Sequence, residues 1–423
     1  MSDRRAILLL TCGALVTSLV TSFTHSCPTY HCYCFRGHEI DCVDMGLSEI
    51  PFFKVENKTY FQLDLGRNRI KRLAAYAFKN VRVRKIKVWR NRRSLDIHPK
   101  AFRGLEDVVR SIQVRGSRLR RLPRGLFKSL RQLRSIDLSK NHLETLHRGV
   151  FRDAHKVVSL NLADNSLAQL ESDAFKGLDS LQLLSVDRNV IGHIDTKALR
   201  ALRSLEELYL NDNKIRDLQP RSFKRLTNLR KLDLSHNEIS AIFPPMFRGL
   251  AKLEILVLTG NPLMVLSDGA LSAMSSLQEL LLNKAKLTHI KAGMFRGLKS
   301  LRQLNLENND IRALPDRVFR PLQSLEILHA DNNALTTINA CAFNSVERMR
   351  EIWVTDNPIQ CDCTLRWTSL ASTAEIYGAC ASPKLVVDEE IALAHKYTVC
   401  IHTGMECSRP RYANKFHGLI VKY

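Results

Sequence analysis

The chain has 423 residues, 45% hydrophobic and 25% charged, and its 64 Lys and Arg against 42 Asp and Glu give a formal charge of +22. Inside a cell such a balance would point to nucleic acid. The leader and the cysteines described next direct the chain outward instead, so no nucleic-acid partner is expected and the available polyanions are sulfated glycosaminoglycans and anionic surfaces. After the leader no stretch stays apolar for the roughly 20 residues that a membrane span needs, which excludes a transmembrane segment from the expectations for this chain.

Residues 1–26 read as a secretory signal. Arg4 and Arg5 precede an apolar run from Ala6 to Val20, and Ser22 and Ser26 both offer cleavage points. Cys12 would leave with it. Residues 27–59 form a cysteine-rich N-terminal cap holding Cys27, Cys32, Cys34 and Cys42, and Asn57-Lys58-Thr59 makes Asn57 a glycosylation acceptor. His25, His31 and His38 make zinc the competing reading of this cap, weakened by the oxidising route and the absence of paired C-x2-C spacing.

From 60 to 356 one frame recurs. Asparagine returns every 24 residues at Asn141, Asn165, Asn189, Asn213, Asn237, Asn261, Asn309, Asn333 and Asn357, interrupted by Ala285. With Asn68, Asn91 and Ser117 these positions anchor thirteen coils, about twelve of them complete within 60–356. A constant period of this length predicts a solenoid of stacked coils. An asparagine amide donates and accepts at once, so a buried column of them suits the turn after each strand. Leucines at fixed offsets, as in Leu205, Leu208, Leu210, Ile215 and Leu218, are expected inside. A phenylalanine stands ten residues past most anchors, from Phe78 to Phe343, with Leu199 and Leu271 filling two gaps; we read it as a core spine on the convex side. Residues 357–409 form a second cysteine-rich cap with Cys361, Cys363, Cys380, Cys400 and Cys407, Cys341 lying just before it, and 410–423 form a tail. Ten cysteines clustered at the two ends read as disulfides.

The frame Leu229-Arg-Lys-Leu232-Asp-Leu234-Ser-His-Asn237-Glu-Ile239 resembles the leucine-rich repeat, and its length and late phenylalanine resemble the extracellular type. The two caps resemble the cysteine-rich flanks of Slit-like proteins, the acid-labile subunit and ectodomains of leucine-rich membrane glycoproteins. The resemblance implies an α/β solenoid: a leucine-rich repeat horseshoe with a concave parallel β-sheet, an irregular convex side and disulfide-rich caps. It also implies pairing of Cys361 with Cys380 and of Cys363 with Cys400. Cys341 and Cys407 fall outside that pattern, and either pair with each other or bridge to another chain.

Residues at even offsets before each anchor are expected on the concave face. Three zones emerge there. Lys85, Lys87, Trp89, Arg90 and Arg115 make a basic patch with an aromatic. Asp164, Asp187, Glu207, Tyr209 and Asp212 make an acidic middle. Ile255, Val257 and Leu281 make an apolar step, with Ile327, His329 and Trp353 beyond it. Exposed aromatics and apolar clusters among charges suit protein interfaces, and we take Trp89, Asp187, Glu207, Tyr209, Asp212, Val257, Leu281, His329 and Trp353 as the candidate protein-binding set. Between Val81 and Ser135, 18 Lys and Arg stand against Asp96, Glu106 and Asp107, a local excess of +15. Lys85, Lys87, Arg90, Arg92, Arg93, Arg115, Arg118, Arg120, Arg121 and Arg124 are the candidate glycosaminoglycan contacts.

The sequence contains no G-x-S-x-G, H-E-x-x-H or Gly-rich phosphate loop, and neither an enzyme nor a cofactor is expected. The expected function is non-enzymatic binding of an extracellular protein ligand or receptor on the concave face. The alternatives are a matrix component held by heparan sulfate and a cell-surface receptor ectodomain.

Overall fold

The computed structural model describes residues 27–35, 37–91, 94–361 and 374–381. The signal segment, Arg92, Arg93, Cys363, Cys400, Cys407 and the tail lie outside them, together with the pairings expected there.

Each coil contributes one short strand to a single sheet of 16 strands. Thirteen are the repeat strands, from Thr59–Asp64 to Glu351–Trp353. The caps supply the rest. Glu39–Asp41 pairs in parallel with Thr59–Asp64, Tyr33–Phe35 folds back antiparallel on it, and Glu375–Tyr377 extends the far end in parallel. Register is constant: Leu184 faces Leu208, which faces Leu232, then Leu256. A side-chain period of two with one face buried fixes it, because a slip by one residue would expose every core leucine. The strand interiors show this directly, with Leu208, Leu232, Leu256 and Leu280 fully buried between half-buried neighbours.

The expected spine is present and buried. Phe127, Phe151 and Phe175 stack in sequence with ring centroids 5.7 and 6.5 Å apart, and Phe295, Phe319 and Phe343 repeat the run at 6.3 and 5.3 Å. Leu199 and Leu271 are buried where the aromatic is missing. The helical share of the fold is small: among the described residues it amounts to a 3-10 turn at Ala292–Phe295 and one α-turn at Ala340–Phe343. The rest of the convex side is turns and two-residue strand pairs such as Gln169–Leu170 with His193–Ile194.

The asparagine column works as the sequence indicates. Asn237 Nδ2 donates to Leu210 O of the preceding coil at 3.0 Å and to Leu234 O and Ser235 O of its own, while its Oδ1 accepts from Ile215 N at 3.0 Å. Ala285 lacks that acceptor. Leu263 N, which would have donated to it, donates instead to Asn261 O and Ala285 O, both at 2.9 Å. The early coils are looser: Ser117 Oγ reaches Val88 O at 3.3 Å, and the buried Asn91 Nδ2 has no partner among the described residues.

Cysteines close both ends. Cys27 pairs with Cys34 and Cys32 with Cys42, so the N-terminal thiols are spent on disulfides rather than zinc. Cys361 pairs with Cys380, and Cys341 is also disulfide-bonded.

Asn237→Ala is expected to lower stability by about 1–3 kcal/mol, because it takes the acceptor from the buried Ile215 N–H and leaves the Leu210 carbonyl with Asn213 as its remaining side-chain donor. Urea unfolding followed by circular dichroism measures this. The exposed Lys214→Ala control should stay within about 0.5 kcal/mol.

Candidate binding surface

The strand register places the sequence columns side by side on the concave face. Asp64, Lys87, Gln113, Asp137, Asn161, Ser185, Tyr209, Asp233, Val257, Leu281, Asn305, His329 and Trp353 form one unbroken row. Tyr377 continues it beyond Trp353. In all thirteen coils the residue just before the anchor has positive φ, between 49° at Arg90 and 71° at Gly260. This left-handed step turns the chain out of the strand and lines one rim with Arg90, Lys140, Asp164, Arg188 and Asp212.

At the N-terminal end, Asp64, Lys87, Trp89, Arg90, Gln113, Arg115, Gly116 and Lys140 line a cavity of about 440 Å3. Its charge is partly compensated. The buried Asp64 accepts the indole N–H of Trp89 at 2.7 Å and lies 3.4 Å from Lys87 Nζ, while Arg115 lies 3.4 Å from Asp137. Arg90 and Lys140 have no carboxylate within ion-pair distance among the described residues. Trp89 lies flat against Gly66, where a Cβ would come within 2.1 Å of the ring. Glycine there is a condition for the ring's position.

The acidic middle is an ion-pair network. Arg188, absent from the candidate set, bridges Asp164 at 2.8 Å and Asp187 at 2.7 Å. Its hydrogen bond holds the Asp164 carboxyl below the usual carboxylate range. Asp187 is 7% exposed and offers little surface, whereas Asp212 stands exposed on the rim. Tyr209 donates to Glu207 at 2.7 Å, and Lys231 Nζ sits 5.2 Å from its ring centroid. Partial burial and then the Glu207 carboxylate push the phenol up to about 12, so it stays a donor. Val257 and Leu281 are register neighbours and half-buried, with Ile255 beside them.

The C-terminal end holds a ring ladder that the sequence columns reached only in part. His329 stacks on Trp353 at 5.9 Å and Trp353 on Tyr377 at 3.9 Å. Glu351 accepts the Trp353 N–H at 2.9 Å, and Glu375 accepts the Tyr377 hydroxyl. Glu375 and Tyr377 follow Glu351 and Trp353 by 24 residues, and that spacing was the signal available. The missing asparagine anchor after them hid it.

Of the candidate glycosaminoglycan contacts, Arg118, Arg120, Arg121 and Arg124 are exposed past the turns, Lys85 is half-buried on the strand, and Arg92 and Arg93 fall outside the described residues. A second basic row went unnoticed in the sequence. Arg84, Arg110 and Arg134 stand on the opposite edge, linked by consecutive bonds from Arg110 N to Arg84 O and from Arg134 N to Arg110 O. All three are exposed and have no carboxylate partner among the described residues.

Gly66→Ala should displace Trp89, changing tryptophan emission and costing about 1–3 kcal/mol of stability. Gly192→Ala, where a Cβ meets only Lys214 O at 3.7 Å, should leave emission unaltered.

Residues 107–167, 155–215, 203–263 and 252–311 each match the leucine-rich repeat family model. Among solved structures, TLR13 in complex with ssRNA13 aligns with a TM-score of 0.59 at 24% identity, over 77% of this chain and 55% of that one. The chain thus spans little more than half the length of that protein. An octameric complex of Latrophilin 3, Unc5D and FLRT2, the last contributing leucine-rich repeats, aligns at 0.58 with 23% identity over 86% and 97% of the two chains. Drosophila Toll with Spatzle aligns at 0.56 with 18% identity over 79% and 60%. At these identities the likeness is one of fold. No curated protein matches the chain. The 24-residue frame, the unbroken register of its coils and the family match make residues 107–311 leucine-rich repeats, within a leucine-rich repeat horseshoe fold whose described ends are disulfide-bonded.

Proposed function

We propose that the chain is a non-enzymatic, extracellular binding protein that holds a protein ligand on its concave sheet. The observation that carries this reading is the composition of the half-buried concave row. Tyr209, Val257, Leu281, His329 and Trp353 put rings and aliphatic groups on a rigid strand face where the repeat frame asks only for residues that tolerate solvent. Aromatic anchors amid charged surroundings are where interface energy concentrates. The leader and the disulfides support an extracellular site, secreted or at the cell surface, and the exposed Asn57 would be glycosylated on that route. That FLRT2 and Toll were solved in complexes with other proteins supports the same use of the fold.

The triple variant Tyr209→Ser, Val257→Asp and Leu281→Asp should lose at least about tenfold of the protein captured from extracellular medium by the unmodified chain. Capture unchanged in this variant, with its fold intact by circular dichroism, rejects the concave face as the site.

A second reading, attachment to heparan sulfate in the matrix, is favoured by the exposed rows Arg84, Arg110, Arg134 and Arg118, Arg120, Arg121, Arg124. Arginines in register on neighbouring strands repeat at about 4.8 Å, a spacing suited to a linear polyanion. The unmodified chain should elute from heparin above physiological salt. Gln at Arg84, Arg110 and Arg134, or at Arg92, Arg93, Arg120 and Arg121, should lower the eluting salt. Retention indifferent to both sets of changes rules this reading out.

A further inference from the structure

Three times on the concave face a glutamate and an aromatic ring stand two residues apart on one strand, with side chains on the same side: Glu207 and Tyr209, Glu351 and Trp353, Glu375 and Tyr377. In each pair the carboxylate accepts the ring's polar hydrogen. What lies over the ring differs. Tyr209 is covered by Lys231 Nζ at 5.2 Å, supplied by the next strand, where Lys231 is in register with Glu207. The chain therefore carries its own example of a cation seated on this pair.

At the C-terminal end that cation is missing from the described residues. The residue one strand past Glu351 is Glu375, a carboxylate where the first pair has a lysine. Among the described residues the strand Glu375–Tyr377 is the last of the sheet, and none of them brings a basic side chain over Tyr377. His329, Trp353 and Tyr377 form a continuous stack, and among the described residues no cation or further ring lies over its outer face and neither Glu351 nor Glu375 has an ion-pair partner. Ring faces are the negative ends of the aromatic quadrupole, and two uncompensated carboxylates beside them strengthen the attraction for a cation.

We propose that the ladder His329, Trp353 and Tyr377, with Glu351 and Glu375, receives an arginine or lysine side chain from a basic segment of a protein partner. It sits on the outer face of Tyr377 as Lys231 sits on Tyr209. This rests on the reading of the concave face as a protein-binding surface and names the chemistry the partner brings to one end. Charge fixes the direction: the opposite end, with Arg90 and Lys140 uncompensated, repels the same segment.

The test uses the full chain with Trp89→Phe, so that emission comes from Trp353 and Trp367, titrated with acetyl-Gly-Arg-Gly-Arg-Gly-amide and with the same peptide carrying citrulline for arginine. The arginine peptide should alter the emission, and the neutral citrulline peptide should bind at least about tenfold more weakly. The pair Glu351→Gln and Glu375→Gln keeps acceptor oxygens for the rings and should weaken the arginine peptide by about tenfold or more. Equal binding of the two peptides, or affinity untouched by the glutamine pair, overturns the proposal. So does arginine-peptide binding that emerges only after removal of residues 410–423, since Arg411, Lys415 and Lys422 of the chain itself would then be the occupant. Capture of a protein that depends on Tyr209, Val257 and Leu281, with the arginine peptide ignored, rejects this inference and leaves the concave-face reading standing.

Discussion

Asn165 donates to Leu138 O in the coil before it and to Leu162 O in its own, and accepts from Leu143 N. The same set of bonds is made at Asn189, Asn213, Asn237, Asn309, Asn333 and Asn357. A short strand of three residues cannot by itself fix where the chain turns. The buried carboxamide does so by satisfying backbone groups of two consecutive coils at once, groups that would otherwise be stranded away from water. Register, leucine stacking and the flat presentation of the concave side chains all depend on that turn being the same each time.

Where the ladder departs from its rule, the local structure changes. At Ala285 the neighbouring backbone supplies the missing acceptor, and the sheet runs through without a break. Around Asn91 and Ser117 the spacing is 26 residues, a hydroxyl stands in for the amide, and one buried N–H2 group has no partner among the described residues. The strands here are longer than the three-residue strands of the later coils, eight residues at Arg82–Trp89 and five at Ser111–Arg115. The excess positive charge sits on this same stretch.

The scaffold was legible in the sequence because its cause is periodic. Asn237, Leu232 and Phe247 each stand in a column of near copies, and a column of identical residues has one physical explanation. The coils, the concave row, the buried spine and the Cys361–Cys380 bridge all follow that logic or the family resemblance. The surface was less legible because its neighbours are 24 residues apart and unlike one another. That Arg188 neutralises Asp164 and Asp187, that Lys231 covers Tyr209, and that Gly66 makes room for Trp89 are contacts across coils with no repeating signature. Tyr377 escaped because the anchor that marked every earlier strand is absent after it. The N-terminal pairing, Cys27 with Cys34 and Cys32 with Cys42, has no periodic cue at all.

The asparagine column also bears on how such a chain would age. Asparagine is the residue most prone to spontaneous deamidation, a reaction in which the backbone nitrogen of the following residue attacks the side-chain carbonyl carbon. An amide whose nitrogen and oxygen are both held, as at Asn237, is not free to rotate into that geometry. No anchor is followed by glycine, the residue that most eases the attack, and Asn261 and Asn357 precede prolines that lack the attacking N–H. The bonds that set each turn therefore also slow this reaction at the anchors that make them.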